Sequence, residues 1–310
     1  MKTIIPPIDK ILLERELNKD TFLRDTNNGN NEIYIISDID SPNAVREIGR
    51  LREVTFRDAG GGTGKDIDLD SYDLGNHAFK QLVLWDPKEK EIIGGYRYNR
   101  CSELEITPKG EVLSPTSRLF KYSKQFINDY FPYTIELGRS FVQPLYQPTF
   151  NLRRGMYALD NLWDGLGAVL IENPDLKYLF GKVTMYTHFD KLARDIILFF
   201  LQKYFPDPDK LIFPIVALKR ETSDKVLNSM FTGCNYVEGY KILMQKGRKL
   251  GESVPPLINA YMNLSSTMKT FGTAVNDHFG QVEETGILIT VNDIFPIKKD
   301  RHITTYNKSN

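Results

Sequence analysis

The chain has few of the residues on which several classes of protein depend. Its 310 residues include only two cysteines and four histidines, and its 40 Lys and Arg residues are balanced by 40 Asp and Glu residues. Two cysteines without metal-type spacing cannot build a disulfide framework, and they indicate a reducing compartment. A net charge of zero argues against a general nucleic-acid-binding protein, because such proteins carry a basic excess. It does not exclude a local basic patch.

Long hydrophobic runs are also missing. The densest apolar stretch, 196–201, is far shorter than the ~20 residues that cross a bilayer. Pro6 and Pro7 interrupt the N-terminal region where a signal peptide needs an apolar run. We therefore expect a soluble, cytoplasmic protein.

Helical and extended patterns alternate along the chain, which is typical of a mixed α/β fold. Ser41 and Pro42 mark the start of an amphipathic helix over 42–58, because they suit the N-cap and the first helical position. No clean linker is present, so we expect one elaborated domain over 32–310 after an N-terminal extension, 1–31. Strands are predicted for 33–36, 81–85, 91–98, 133–142, 179–186 and 286–291, and further helices for 157–171 and 188–204.

Two motifs in the glycine-rich, acidic segment after the first long helix are incomplete. Residues 59–66 resemble a phosphate-binding loop, but Ala59 and Asp66 stand where that loop requires Gly and Ser or Thr. The Asp66-x-Asp68-x-Asp70 spacing opens a calcium loop, but the required glycine and glutamate do not follow. The histidines and cysteines show no ligand spacing either. We therefore interpret this segment as a flexible loop and expect no metal site.

Charged residues occupy positions where core-facing elements should be apolar. Arg52 lies beside the apolar face of the first long helix, and Arg97 follows two strand glycines that permit close backbone approach. Glu136 and Arg139 share one strand, and their odd separation points them to opposite faces. A bulge at Gly138 would bring them to the same side.

Each charge alone is typical of a structural ion pair. Taken with Asp70 and Asp73, however, the set is more economically explained by a functional site.

An ordered series of motifs runs along the chain: Leu51-Arg52-x-x-x-Phe56, Asp70-x-x-Asp73, Gly94-x-Tyr96-Arg97, Glu136-Leu137-Gly138-Arg139-Ser140, Leu162-Trp163-x-Gly165-Leu166, Lys177-Tyr178-Leu179-Phe180-Gly181, Pro255-Pro256-Leu257-Ile258-x-x-Tyr261 and Asp277-His278-Phe279. Together these motifs resemble the autoinducer-synthase and ornithine-lipid-synthase branch of the GNAT acyltransferases, often labelled hemolysin-like and related to acyl-homoserine-lactone synthases. That resemblance implies a mixed, mainly antiparallel twisted sheet flanked by helices, with a C-terminal elaboration.

The resemblance also implies a function. Members of this branch move a long-chain fatty acyl group from an acyl-carrier-protein thioester to the amine of a small amino acid, such as glycine, ornithine or a lysine-like acceptor. It implies Glu136 as the general base and Arg139 as the residue that organises the acidic cluster or holds a carboxylate. Residues implied in substrate and donor binding are Arg52, Phe56, Asp70, Asp73, Arg97, Phe141, Val142, Arg153, Arg154 and Gly155.

The implied cosubstrate is acyl-ACP or acyl-CoA, with no tightly bound cofactor and no nucleic-acid partner. The product would be an N-acyl amino acid lipid or its precursor, and a peripheral contact with the inner face of the membrane is expected.

One departure concerns the phosphate-gripping turn of the superfamily. Here 143–155 is enlarged and Gln147 stands where an arginine is common, which favours a carrier-protein phosphopantetheine arm over coenzyme A. Two other interpretations stay open: an acetyl-CoA-dependent short-chain acetyltransferase, and a non-catalytic membrane-associated binding protein. The densest basic run is either a carrier-protein docking surface or a solvated face; it consists of Lys241, Lys246, Arg248 and Lys249.

Overall fold

A computed structural model describes residues 1–150 and 155–307, which divide into two compact units. Its strands are β1 (Phe22–Asp25), β2 (Glu32–Ile36), β3 (Lys80–Asp86), β4 (Glu91–Arg100), β5 (Phe120–Tyr122), β6 (Thr134–Val142), β7 (Tyr178–Met185), β8 (Ile212–Pro214), β9 (Lys269–Asn276) and β10 (Val282–Thr290). Its described helices are α1 (Lys10–Glu16), α2 (Pro42–Asp58), α3 (Ala158–Glu172), α4 (Lys191–Tyr204), α5 (Asp224–Met230), α6 (Tyr236–Lys249), α7 (Pro256–Met262) and α8 (Pro296–His302).

The first unit comprises 1–104, 133–177 and the chain from 295 onward. Its strands pair antiparallel in the order β1-β2-β3-β4-β6. Side chains alternate between the faces of a strand, so Gln81 and Leu82 of β3 point to opposite sides. Gln81 accepts a hydrogen bond from Arg52 of α2. Leu82 instead packs against α3, where a Cβ added to Gly165 would lie 2.8 Å from Leu82 Cδ1. Helices α2 and α3 therefore cover opposite faces of this sheet.

Two glycines in β4 allow its neighbours to approach closely. A Cβ at Gly94 would lie 2.3 Å from the carbonyl oxygen of Phe141, and one at Gly95 would lie 2.5 Å from that of Leu82. Real Cβ atoms do not come this close to backbone oxygens, so β3 and β6 could not keep these positions beside larger residues. The predicted close approach is confirmed.

The second unit comprises 105–132 and 178–294. Strands β7, β10 and β9 pair antiparallel in that order, and β5 pairs with β8 in a separate two-stranded sheet. Helix α4 contacts α6 and β9. An aromatic cluster around Phe126 and Phe180 fills the region between β5 and β7, with ring centroids 5.9 Å apart.

The predicted fold class is confirmed, and the strands and helices lie within a few residues of the predicted ranges. Residues 1–31, predicted as an extension, contribute α1 and β1 to the first unit. The prediction of a single domain over 32–310 stays a prediction. Within residues 1–150 and 155–307, no helix has the length and apolar character needed to span a membrane.

Candidate active site

Asp73 is the centre of a buried network of polar and charged side chains in the first unit. Arg52 Nη1 and Arg97 Nη1 each donate a hydrogen bond of 2.8 Å to it, one to Oδ1 and the other to Oδ2. The same Arg97 nitrogen donates to Asp70 Oδ1 at 2.7 Å. Gln81 accepts from Arg52 Nη2 at 2.6 Å and donates to Asp73 Oδ1 at 3.0 Å. The structure thus brings together four predicted residues, Arg52, Asp70, Asp73 and Arg97.

The local sequence explains why these groups converge. Arg97 and Gln81 are directly opposed on β4 and β3, so both side chains leave the same face of the sheet. The Arg97 guanidinium also lies 5.8 Å from the ring centroid of Tyr72 and 5.7 Å from that of Phe79. These rings cover the cation with apolar surface while their faces attract it. The irregular segment after α2 therefore folds onto the sheet around Arg97.

The pKa shifts in this network follow from burial and pairing. Burial alone would raise the pKa of Asp73, but Arg52 and Arg97, helped by the Asp70 N–H at 3.0 Å, hold it below its ordinary value. Burial lowers the pKa of Arg52, which has one close carboxylate partner. Burial acts on Arg97 in the same direction, but Asp73 and Asp70 outweigh it and raise its pKa. At neutral pH Asp73 is therefore ionised between charged guanidinium groups.

A bulge in β6, beside this network, changes which face of the sheet the following side chains point to. The register of β4 and β6 changes between Gly138 and Phe141, so that Arg139 and Ser140 together face Tyr96. The bulge had been predicted at Gly138, which is wrong by one residue. Arg139 itself takes the left-handed backbone conformation, with φ of 50°, where a glycine would have been the easier choice.

The Arg139 side chain explains why this backbone conformation persists. Its Nε lies 2.9 Å from Asp68 Oδ2, and its Nη2 donates to Asp68 Oδ1 at 3.1 Å. Asp68 is in turn fixed to α2, because its N–H donates to the Gly49 carbonyl oxygen at 3.1 Å. One hydrogen bond and one close charge contact therefore join the side chains of Arg139 and Asp68. Arg139 is thus joined to the acidic segment by an aspartate that was not among the predicted site residues, and the two roles implied for Arg139 stay predictions.

Glu136 is buried in β6, with 3% of its surface exposed. It is opposite Asn99, two residues from Arg97, so it leaves the sheet on the same face as Arg97. The bulge brings Arg139 to that face as well, as predicted. Burial, and then the charge of Glu136, raise the pKa of the Cys101 thiol well above its ordinary value. Cys101 is therefore a neutral thiol beside Glu136. The role of Glu136 as base stays a prediction.

The incomplete phosphate-binding motif has an internal partner. Thr63 donates to Glu53 Oε2 from its N–H at 3.0 Å and from its hydroxyl at 2.7 Å, and the Gly64 N–H donates to Oε1 at 2.8 Å. Arg57 Nε donates to the same Oε1 at 2.7 Å. The amides that would hold a phosphate instead bind the chain's own carboxylate, so this predicted flexible loop is anchored to α2.

The segment after β6 is also held internally. Gln147 Nε2 donates to the Val142 carbonyl oxygen at 2.8 Å, and Tyr146 donates to Asp86 Oδ2 at 2.9 Å. Gln147, where the superfamily commonly has an arginine, thus closes the turn with a neutral amide.

Gly155 packs tightly against this turn. It is buried, and a Cβ there would lie 2.5 Å from the nitrogen of Pro148. The predicted residues Arg153 and Arg154 lie outside the described residues. Of the other predicted residues, Phe56 is buried in α2, while Phe141 is buried and Val142 half-buried at the end of β6.

Three residues of this region were not predicted. The sequence contained a signal for two of them. Gln81 is a polar residue in an otherwise apolar strand, and Glu53 follows Arg52 on α2. The pairing of Asp68 with Arg139 had none, because it joins residues far apart in the chain.

Comparisons with known proteins bear on the activity. A family model described as "Acetyltransferase (GNAT) domain" matches residues 51–154. The Glycine N(alpha)-acyltransferase of Phocaeicola vulgatus is 52% identical over 99% of this chain and 94% of its own length. That of Bacteroides thetaiotaomicron is 52% identical over 100% of this chain and 92% of its own length. The chain belongs to the same family as these acyltransferases.

The protein is therefore an acyltransferase enzyme with a GNAT domain, as the motifs had indicated. This removes the non-catalytic binding protein from the alternatives. A solved CoA-dependent acyl-homoserine lactone synthase covers 87% of this chain and 88% of its own, at 12% identity and a TM-score of 0.37. A TM-score this low supports no further inference.

Proposed function

We propose that this acyltransferase moves a long-chain fatty acyl group from an acyl-carrier-protein thioester to the amine of glycine, giving an N-acyl amino acid that is a lipid or a lipid precursor. The observation that carries the proposal is the 52% identity, over nearly the whole chain, to two proteins named for acylation of the glycine α-nitrogen. Ornithine and lysine-like amines are the other acceptors to be tested.

The reaction needs a base, because the α-ammonium group must lose a proton before its nitrogen attacks a thioester. We assign this role to Glu136, directly or through a water molecule. A positioned base contributes about 10²–10⁴-fold to the rate. The new C–N bond forms at the thioester carbonyl carbon, the C–S bond breaks, and the carrier's sulfur leaves as a thiol after taking up a proton.

The tetrahedral intermediate carries a negative oxygen that needs a hydrogen-bond donor. We assign this to a backbone N–H at Phe141 or Val142, where β6 continues beyond its bulge. Such a donor is worth about 10²–10³-fold. Arg139, held by Asp68, positions this stretch of strand. Four charged residues hold the segment 67–73 against the sheet and so shape the entrance for the donor; they are Arg52, Asp70, Asp73 and Arg97.

The choice of donor rests on two features. Gln147 offers a neutral amide, already used within the turn, where an arginine would grip a pyrophosphate. Carrier proteins are acidic, and α6 ends in a basic run that would attract them. Its members are Lys241, Lys246, Arg248 and Lys249, of which Lys246 is half-buried and the others are exposed. The proposal locates the enzyme in the cytoplasm, with a peripheral contact at the membrane that receives its product.

Product analysis tests this proposal. Purified enzyme is incubated with 3-hydroxypalmitoyl- or palmitoyl-carrier protein, with the matching CoA thioesters, and with a panel of amino acids, and the products are identified by mass spectrometry. We expect N-acylglycine from the carrier-protein donors. If no N-acyl product forms with any long-chain donor, the proposal is wrong.

Acetyl transfer is the second candidate, because the matching family model is described as an acetyltransferase domain. Acetyl-CoA in the same donor panel separates the two. N-acetyl products formed faster than long-chain products would favour acetyl transfer.

A further inference from the structure

The second unit exposes an apolar stretch of chain at the end of β8, residues 213–217. Phe213, Ile215 and Val216 are all exposed, and Val216 keeps 76% of its surface accessible. Apolar residues that are exposed singly are normal on a protein surface, whereas a contiguous group of them marks an interaction site. This apolar segment therefore calls for a partner.

The backbone of the apolar segment is fixed on both sides. The Ile215 N–H donates to the Leu119 carbonyl oxygen, beside β5, at 2.8 Å. The Leu218 N–H donates to the carbonyl oxygen of Thr273, on β9, also at 2.8 Å. The segment cannot turn its side chains inward without breaking these hydrogen bonds, so their exposure is a built-in feature of the second unit.

Three lysines border the apolar segment. Lys121 of β5 is directly opposite Phe213 of β8, so both side chains leave the same face of this small sheet. Lys210 and Lys219 line the same groove as Phe213, a groove of about 960 Å³ between α4, β8 and β9. All three lysines are exposed, and over residues 1–150 and 155–307 none of their ammonium groups makes a hydrogen bond or an ion pair.

The carboxylates of this groove have other partners. Asp224 Oδ1 accepts a hydrogen bond from Arg220 Nη2 at 2.8 Å. Asp207 Oδ2 accepts from the Leu211 N–H at 2.6 Å, and its Oδ1 lies 3.9 Å from Lys269 Nζ. The three lysines are therefore left over as positive charge around the apolar segment.

Apolar side chains within a border of unpaired lysines have the chemistry of a surface that binds a lipid bilayer. The apolar groups enter the boundary between head groups and acyl chains, as they do in interfacial membrane proteins. Lysine stems extend along apolar surface while their ammonium groups reach outward, where anionic head groups attract them. The charge of such a bilayer thus complements the border, and its interior complements the segment.

We propose that the apolar segment 213–217, with Lys121, Lys210 and Lys219, is the surface through which this protein binds an anionic lipid bilayer. The choice of a bilayer as the partner rests on the proposed function, whose product is a lipid or its precursor. The surface itself rests on the fixed exposure of the segment and on the unpaired lysines beside it.

Cosedimentation with vesicles tests the proposal, without acyl donor or amine. Anionic vesicles contain phosphatidylglycerol and phosphatidylcholine, and neutral vesicles contain phosphatidylcholine alone. Ile215→Ser combined with Val216→Ser should weaken binding to the anionic vesicles about 10- to 100-fold, because less apolar surface is buried. Lys210→Gln combined with Lys219→Gln should weaken it about 10- to 30-fold and leave binding to neutral vesicles little changed.

Matched controls remove the same groups elsewhere. Val237→Ser removes a valine that is 59% exposed on α6 of the same unit. Lys19→Gln combined with Lys88→Gln removes two exposed lysines from the first unit. Both controls should bind vesicles as the wild type does.

Each substituted residue is exposed, so we expect all variants to keep the wild-type circular dichroism spectrum. If the serine variant does not fold, the lysine variant decides. Wild-type protein that does not bind anionic vesicles would overturn the inference. So would binding that stays unchanged in the variants of the surface, or that falls equally in the controls.

Other partners for this surface give different results. If the serine variant loses binding to acyl-carrier protein but keeps binding to vesicles, the surface belongs to the carrier protein and the inference is wrong. If light scattering shows a wild-type dimer that the serine substitutions dissociate, and vesicles are not bound, the surface joins two copies of this chain and the inference is wrong.

The vesicle assay is independent of the reaction. Vesicle binding through this surface would support the inference even if no N-acyl product forms, a result that contradicts the proposed function alone. Product formation by a protein that does not bind vesicles would contradict this inference alone.

Discussion

The buried charges around Asp73 and those around Glu284 solve the same physical problem in different ways. Asp73 has a guanidinium within 2.8 Å of each carboxylate oxygen, whereas Glu284 of β10 has one ammonium, that of Lys182 on β7, at 3.4 Å. Each carboxylate oxygen of Asp73 accepts two hydrogen bonds, of 2.8 and 3.0 Å. A network with this many short hydrogen bonds forms a rigid scaffold. A single long contact leaves the Glu284 carboxylate incompletely hydrogen-bonded among the described residues. Within a chain of zero net charge, the arrangement of partners is therefore more informative than the number of charges.

The largest effect is expected at Glu136, the residue proposed as the general base. Glu136→Gln keeps the shape of the side chain but removes the base, so kcat should fall about 10²–10⁴-fold. Steady-state kinetics measure the loss, and binding of a non-hydrolysable acyl-carrier-protein analogue should stay unchanged. A variant with wild-type kcat would remove Glu136 from the mechanism.

Breaking the tight network should destabilise the fold more than breaking the looser pair of Lys182 and Glu284. Arg97→Met leaves Asp70 and Asp73 without a shared partner, and removing one member of a buried pair costs about 3–5 kcal/mol in free energy of unfolding. Lys182→Met should cost less, because its contacts are long. Urea unfolding of both variants measures the two losses in free energy of unfolding. Equal losses would mean that Lys182 and Glu284 are as structural as the Asp73 network.

Acid should weaken the scaffold through Asp73. Its folded-state pKa is depressed, so the unfolded chain takes up the proton first as the pH falls. The stabilisation is therefore complete above about pH 4, the range of the unfolded aspartate, and is lost as the pH drops through the lower folded-state pKa. Urea unfolding at several pH values should show this dependence in the wild type and less of it in Asp73→Asn. Identical pH profiles would assign acid sensitivity to other carboxyl groups.

The glycines of the sheet provide a smaller test of close packing. Gly94→Ala places a Cβ against the Phe141 carbonyl oxygen and should cost about 1–3 kcal/mol of stability. Gly138→Ala is the matched control, because a Cβ there meets nothing within 4 Å. Thermal unfolding should separate the two variants clearly. Similar melting temperatures would show that β6 can shift away from β4 at little cost.

The smallest effect is expected on the surface of α6. Replacing Lys241, Arg248 and Lys249 by Gln should lower kcat/KM for an acyl-carrier-protein donor and reduce its dependence on salt, because rim charges act mainly on association. The kcat/KM for an acyl-CoA donor is the control and should change less. An equal response of both donors would indicate a solvated face without a docking role.

The sequence predicted the fold class and most elements because periodicity and caps are local signals. Helix 42–58 and strands such as 133–142 follow from the spacing of apolar residues. Four charged residues of the scaffold were also found, since charges at core-facing positions stand out. Long-range partners could not be found in this way. Asp68 pairs with Arg139, far along the chain, and Asn27, in the predicted N-terminal extension, donates its N–H to Asp164 Oδ2 at 2.9 Å. Such pairs depend on topology, which single-residue patterns do not encode.

Transfer from a long-chain acyl-carrier protein to isotopically labelled glycine tests the central claim most directly. The account predicts a labelled N-acylglycine with wild-type enzyme and no detectable product with Glu136→Gln on the same timescale. Wild-type enzyme that leaves glycine unacylated while acylating a different class of amine, or none, would contradict it.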